Sequence, residues 1–294
     1  AIEAAIATAR AAGDHLAAQD MEIPDVGQGT ERDLADAVRG LLRRALGCDP
    51  VFDEGALYGW AATHWRRIER NDALRLVDAL HGTPIPSAGK TPRLLDVTDR
   101  RAQSAVAILC RHVERRGFFA DAPAGVALAN GFLSLDEAHE PVVRPHAPEQ
   151  RQRFVADLAF DPAAAPAEPA DPRHDFRLLF AGIEDGPGKA EKVDLLGEMA
   201  GAAVFGLATA VEQPKAFYLV GPANCGKSTL LETVKALIPP EARAVVKPEE
   251  FDDPGMRAKL AGVRLNAADD IDFTRKTSAA DFKPVITGEE ISAR

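Results

Sequence analysis

Two short stretches of this chain hold side chains suited to phosphate chemistry. In the first, Gly221-Pro222-Ala223-Asn224-Cys225-Gly226-Lys227-Ser228 fits G-x-x-x-x-G-K-[ST] at every fixed position, and Thr229 follows it. A triphosphate packs several negative charges into a small volume, and backbone N–H groups can wrap it only where no side chain blocks their approach. Gly221 and Gly226 give that access, and a helix starting at the loop's end aims its unpaired N–H dipoles at the anion. Lys227 then places a cation on the β- and γ-phosphates, and the Ser228 hydroxyl completes the shell of a Mg²⁺ ion. The whole stretch from Gly221 through Pro222, Ala223 and Asn224 to Thr229 is the expected nucleotide-binding segment; within it Cys225 fills space and offers its backbone N–H, and Thr229 packs or hydrogen-bonds locally. The second stretch ends on the acid pair Asp269-Asp270, with Asp272 as a third candidate. One carboxylate would orient a metal-bound water and the other would take its proton; Asp269 is assigned the metal side and Asp270 the base side. The plain alternatives are a chance glycine loop with an exposed lysine, and two acids in a surface turn.

The elements expected to position these groups read as a parallel α/β core. Ala216-Phe217-Tyr218-Leu219-Val220 is an apolar run that predicts a buried strand leading into the loop. Leu230, Leu231, Val234, Leu237 and Ile238 recur at helical spacing until Pro239-Pro240 stops the helix. Residues 244–246 predict a second strand, 255–261 a short helix, and 263–268 a third strand carrying the acid pair at its C-terminal end.

Upstream the pattern is mostly helical. Residues 1–20 read as an alanine-rich helix interrupted at Gly13, and 24–29 as a loop. Thr30 with Asp33 forms a capping-box signature opening a helix to Gly47, with Arg39, Arg43 and Arg44 on or beside a solvated face. Phe52 to Trp60 predicts a hairpin turning at Asp53-Glu54-Gly55. Both tryptophans lie in or just after it, beside Arg66 and Arg67; a small aromatic core and a stacking surface for a nucleic acid strand both fit. Helices are expected over 73–80 and 99–116, separated by a Pro/Gly-rich linker at 82–92. Asn130-Gly131 sits hairpin-like between apolar runs, 161–172 is a Pro/Ala-rich linker, and 176–207 reads as helical with a loop at 184–189. The expected organisation is 1–116 helical with a small Trp-containing hairpin, 117–172 connecting, and 173–294 the nucleotide-binding part. There is no internal repeat.

Composition sets bounds on partners. A chain of 294 residues with 46% hydrophobic and 27% charged residues can bury a sizeable core. The net charge of −10 is uneven: residues 1–116 carry 16 basic and 17 acidic side chains, residues 117–294 carry 19 and 28. That balance argues against coating nucleic acid over the whole surface, and is compatible with gripping a strand through a few basic loops. No apolar run approaches the ~20 residues of a membrane span. The first residues lack a secretory apolar segment, and a start at Ala1 suggests a piece excised from a longer chain. Cys48, Cys110 and Cys225 are widely spaced without metal-type spacing, as expected in a reducing compartment. The cytoplasm of a bacterial host or phage-infected cell is the expected location.

GPANCGKST, LAGVRLNAADDID and FKPVITGEEISAR together resemble the successive ATPase motifs of superfamily 3 helicases, closest to the helicase part of phage, plasmid and poxvirus-type primase-helicases. Phe282-Lys283, Thr287-Gly288, Ile291 and Ala293-Arg294 match the last motif, with Glu289-Glu290 where Gly-Asp is usual. Residues 129–135 and Phe160-Asp161-Pro162 resemble the signature that precedes the ATPase in those proteins, so the likeness covers most of 50–294. The resemblance implies an AAA+-like P-loop NTPase with a parallel sheet core, preceded by a mostly helical α+β region. It implies a replicative DNA helicase using ATP and Mg²⁺, moving on single-stranded DNA as a homo-hexameric ring, with Lys283 and Arg294 near the DNA. A primase domain would lie before Ala1 or in a partner. The chain stops before the family's sensor asparagine, arginine finger and most of its channel hairpin, so the core is expected to be C-terminally incomplete, to bind ATP–Mg²⁺ and to hydrolyse it poorly alone. The alternatives are a packaging or defence motor of the P-loop type, and a non-hydrolysing module that uses ATP only to assemble on DNA. A small-molecule kinase fits least, since no arginine-bearing lid follows the loop.

Overall fold

The computed structural model describes residues 25–87, 93–163, 188–206, 216–269, 271 and 279–289. It divides into two units, one running to Pro123 and taking in His146–Arg153, the other holding Ala124–Pro145 and the chain from Phe154 on. The expected helix over 1–20 and most of the 161–172 linker lie outside the described residues.

The first unit starts at a helix stop-and-start signal. Thr30 caps α1 (Glu31–Leu46): the Asp33 amide donates to the Thr30 hydroxyl at 3.2 Å, and the Thr30 amide donates to the Asp33 carboxylate at 2.9 Å. Gly47 ends the helix in the left-handed conformation. The buried stripe of Leu34, Val38, Leu42 and Leu46 joins one core with α2 (Arg70–Asp78), through Leu76 and Val77, and α3 (Asp99–His112), through Ala102, Ala105 and Leu109. The backbone N–H of Thr30, then its hydroxyl, hold the Asp33 carboxyl below its ordinary 3.8. A depressed acid stabilises the fold fully above its unfolded value and loses that contribution as pH falls through its folded one. Asp33→Ala is therefore expected to cost about 1 kcal/mol at pH 7, with the gap to wild type closing below pH 3.8. Both tryptophans of the chain, Trp60 and Trp65, sit in this unit, so urea unfolding followed by their fluorescence reads it alone. A gap that stays constant down to strong acid would refute the assignment.

Strands β1 (Val51–Asp53), β2 (Ala56–Trp60) and β3 (Trp65–Ile68) form an antiparallel sheet in that order. Glu54 and Gly55 make the two-residue turn, both at positive φ, the backbone such hairpins require. Trp60 and Trp65 are buried, and the Trp65 indole donates to the Pro148 carbonyl at 2.9 Å. Phe118 meets Trp65 edge-on at 5.1 Å, and the Arg151 and Arg153 guanidiniums lie 5.0 and 4.8 Å from the Phe118 and Phe119 rings. Of the two sequence readings, the structure has the aromatic core: both indoles are inside, out of reach of a nucleic acid strand. Asp53, 5% exposed, accepts from the backbone N–H of Glu54, Gly117 and Phe119 at 3.0–3.1 Å and so ties the segment after α3 to the sheet. Within and beside the expected linker, β4 (Pro84–Ile85) pairs antiparallel with β5 (Arg93–Leu94).

The second unit contains a four-stranded sheet ordered β8-β7-β6-β9, from β6 (Val126–Leu128), β7 (Gly131–Leu135), β8 (Pro141–Arg144) and β9 (Val155–Ala156). Only β6 and β9 run parallel in it. Gly131 sits at φ 147°, where an added Cβ would lie 2.6 Å from the Arg144 carbonyl oxygen. The Asn130 amide donates to the Phe160 carbonyl at 2.8 Å and accepts from its N–H at 3.1 Å. The Asn130-Gly131 turn and the segment at Phe160 are thus joined by one side chain. Helices α4 (Lys189–Phe205) and α5 (Lys227–Ala236) follow, then β10 (Arg243–Ala244), α6 (Pro254–Ala258), β11 (Leu265–Asn266) and α7 (Ala279–Thr287).

This architecture corrects the expected fold class. The described residues form a mixed α+β arrangement of small, mostly antiparallel sheets, without a large parallel P-loop-type core. The expected strand at 216–220 is not one: Phe217 and Tyr218 are about half exposed and Val220 is 85% exposed. The expected strands at 244–246 and 263–268 shrink to β10 and β11, a parallel pair of two residues each. An isolated apolar run states a preference for burial, but a parallel strand also needs partners on its edges and cover on both faces. No helix among the described residues is long and apolar enough to cross a membrane.

Candidate phosphate-binding site

The loop from Gly221 to Gly226 reaches α5 through two left-handed residues, Asn224 at φ 60° and Gly226 at φ 88°. Asn is among the few side chains that tolerate this region, and Gly adopts it freely. An added Cβ on Gly221 would lie 3.0 Å from the Cys225 sulfur, so a larger residue there would crowd the loop interior. Helix α5 begins at Lys227 with no side chain capping it. Its first N–H groups therefore have no intrahelical acceptor and face the loop mouth, together with the positive end of the helix dipole. Val234 and Ile238, four residues apart, anchor the helix from inside; Ile238 packs in a cluster with Ala203, Ala242 and Leu265.

Lys227 turns back over the loop. Its ammonium donates to the carbonyls of Gly221 at 2.9 Å and Pro222 at 2.7 Å, and lies 3.4 Å from the Cys225 sulfur. A flexible cation resting on loop carbonyls can exchange those oxygens for phosphate oxygens with little motion. Ser228 and Thr229 are exposed at the helix start, and the Thr229 carbonyl accepts from the Thr233 hydroxyl at 2.9 Å. Pro222, Ala223 and Asn224 are exposed and Cys225 is half-buried. The loop therefore fits a chain of phosphates: a bare helix start, one mobile cation and a floor with little side-chain bulk. Ser228, exposed in the first turn of α5, is the residue that would offer a hydroxyl to a phosphate-bound Mg²⁺.

The acid side is placed differently from the loop side. Asp269 pairs with Lys235 at 3.7 Å, and Lys235 also holds Glu232 at 2.7 Å. Lys235 lies eight residues after Lys227, about 12 Å along the helix axis, so the partner that holds Asp269 stands two turns beyond the loop. Asp270, Asp272 and Arg294 lie outside the described residues. Lys283 is on α7, its side chain 74% exposed and 4.0 Å from Glu289. Helix α7 is tied to the preceding segment by Arg257–Asp281 at 3.3 Å and by stacking of Phe282 on Phe251. Among the described residues no three His, Cys, Asp or Glu side chains gather as a ready-made cation cage.

Two residues that hold this unit together, Arg264 and Asn266, are not among the sequence candidates. Arg264 donates to the carbonyls of Gly125 at 3.0 Å and Val204 at 2.6 Å, clasping the C-terminal turn of α4 to the start of β6. The Asn266 side chain accepts from the Val246 N–H at 2.8 Å and donates to its carbonyl at 2.9 Å, continuing the β10–β11 pairing with an amide in place of backbone. An asparagine at a strand end would have hinted at the second; a single arginine has no pattern that reveals its acceptors. The chain matches no protein-family model and no curated protein.

Proposed function

We propose that Gly221–Thr229 binds the phosphates of ATP with Mg²⁺, and that the chain serves an ATP-dependent DNA helicase of the superfamily 3, primase-helicase type. In this reading it acts on single-stranded DNA as a homo-hexameric ring, in the cytoplasm of a bacterial or phage-infected cell. The observation that carries the nucleotide site is the Lys227 ammonium lying on the Gly221 and Pro222 carbonyls over the uncapped start of α5. The helicase part rests on the three motif stretches and on the Asn130–Phe160 link between the two upstream ones. Lys283 and Arg294 are the proposed DNA contacts, and Asp269 and Asp270 the proposed metal and base carboxylates.

A second reading has its own support. Asp269 is held by Lys235 and not by a group of the loop, which suits a module that binds ATP to assemble on DNA without hydrolysing it. The two readings separate in one assay. Phosphate release and strand separation are measured on the protein with and without a single-stranded oligonucleotide. The helicase reading expects DNA-stimulated turnover and strand separation. ATP-dependent ring formation without turnover supports the assembly module, and ATP–Mg²⁺ failing to bind removes both.

A further inference from the structure

The first unit carries a groove of about 430 Å³ between the β1–β3 sheet and α3. Its floor includes the buried side chains of Leu57, Ile68 and Val106. Gln103, Ala107, Cys110 and Arg111 line one wall from a single face of α3, as their helical spacing requires. Arg67 and Arg70 line the opposite wall. Glu114, the groove's acid, is already held by Arg116 at 2.9 Å. Arg67 has a loose pair with Glu69 at 3.5 Å, and among the described residues no ion pair engages Arg70 or Arg111. A chain of net charge −10 thus concentrates three guanidiniums around one apolar slot.

We propose that this groove binds a nucleotide unit, its ring on the apolar floor and its phosphate held by Arg67, Arg70 and Arg111. The volume is in the range of small-ligand sites. Guanidinium forks match phosphate oxygens in pairs, and all three arginines line the one groove. Gln103 adds a donor and an acceptor for a base edge, where the arginines offer donors alone. Cys110 is half-buried in the wall, and burial raises its thiol. The nucleotide is either free or one unit of a single strand, and the chemistry is shared. This site lies in a different unit from the phosphate loop and does not depend on it.

The test uses the full chain carrying Lys227→Ala, which disables the loop, in low salt with a chelator and no Mg²⁺. Thymidine monophosphate and a ten-nucleotide thymidylate strand are titrated separately. At least one is expected to bind, with the Arg70→Ala/Arg111→Ala pair lowering its affinity tenfold or more. Ala107→Trp, which fills the groove from an exposed helix position and leaves the arginines in place, is expected to do the same; circular dichroism checks that each variant folds. Equal binding of both probes assigns the free nucleotide. Binding of the strand alone assigns nucleic acid, and its log-log salt slope then falls by about one per arginine removed. The proposal is overturned if neither probe binds, if binding survives both variants, or if a poly-glutamate peptide competes equally well. ATP binding in Mg²⁺ to the Arg70→Ala/Arg111→Ala chain, whose loop is intact, tests the loop separately, so failure at one site is distinct from failure at the other.

Discussion

Lys227→Ala is expected to weaken ATP–Mg²⁺ binding about 100-fold or more while leaving the fold intact. The ammonium makes two short bonds to loop carbonyls, Gly221 at 2.9 Å and Pro222 at 2.7 Å. When phosphate replaces those acceptors, each contact becomes a bond between full charges, worth about 1.5–3 kcal/mol. Two such bonds correspond to about two decades in affinity or more. The loss to stability is small because the carbonyls left behind are on an exposed loop and turn to water, so the unfolding free energy is expected to change by less than about 0.5 kcal/mol. Calorimetric titration of both chains reads the affinity. An unchanged dissociation constant would remove the phosphate-site assignment, whatever the motif says.

The largest expected effect on stability lies in the other unit. Asp53→Ala should destabilise it by about 3 kcal/mol, because buried N–H donors left without an acceptor cost about 1–3 kcal/mol each. The Asp53 carboxylate serves Gly117 and Phe119, both more than sixty residues away, along with its neighbour Glu54. The Glu54 amide is at an exposed turn and recovers water; the Phe119 amide is buried and does not. Asp53→Asn keeps one acceptor oxygen and should lose about half as much. Urea unfolding read by tryptophan fluorescence measures both, since Trp60 and Trp65 are near this junction. A loss below about 1 kcal/mol for the alanine variant would mean the amides find other partners. Against a total of about 5–15 kcal/mol for a typical domain, the expected loss is large.

What the sequence reveals here is local. Thr30 with Asp33 and Gly47 marks both ends of α1, and Glu54-Gly55 marks a two-residue turn, because each needs only neighbouring residues to act. The phosphate loop is legible for the same reason: glycine and asparagine at positive φ, then a helix start, all within nine residues. The parallel core expected around it was an inference about pairing between distant segments. Val263–Ala268 has the apolar content of a strand, yet only Leu265 and Asn266 pair. The Asn266 side chain takes over where the ladder ends. Asp269 was placed by its order in the chain, and order does not say which turn of α5 it meets. The groove was equally invisible, since Arg67 on β3, Arg70 at the start of α2 and Arg111 on α3 line it together only once the fold is made.

The late return of His146–Arg153 to the first unit bears on how the protein is made. Trp65 gives its backbone N–H to Gln152 and its indole N–H to Pro148, and Arg153 pairs with Glu54. None of those acceptors or cations exists while a nascent chain has emerged only as far as Pro123. The aromatic cluster must therefore wait, partly uncovered, until the ribosome has also released Ala124–Pro145, a stretch that belongs to the other unit. An expression boundary drawn after Pro123 would keep α1, α2 and α3 and still discard the segment that closes the first unit.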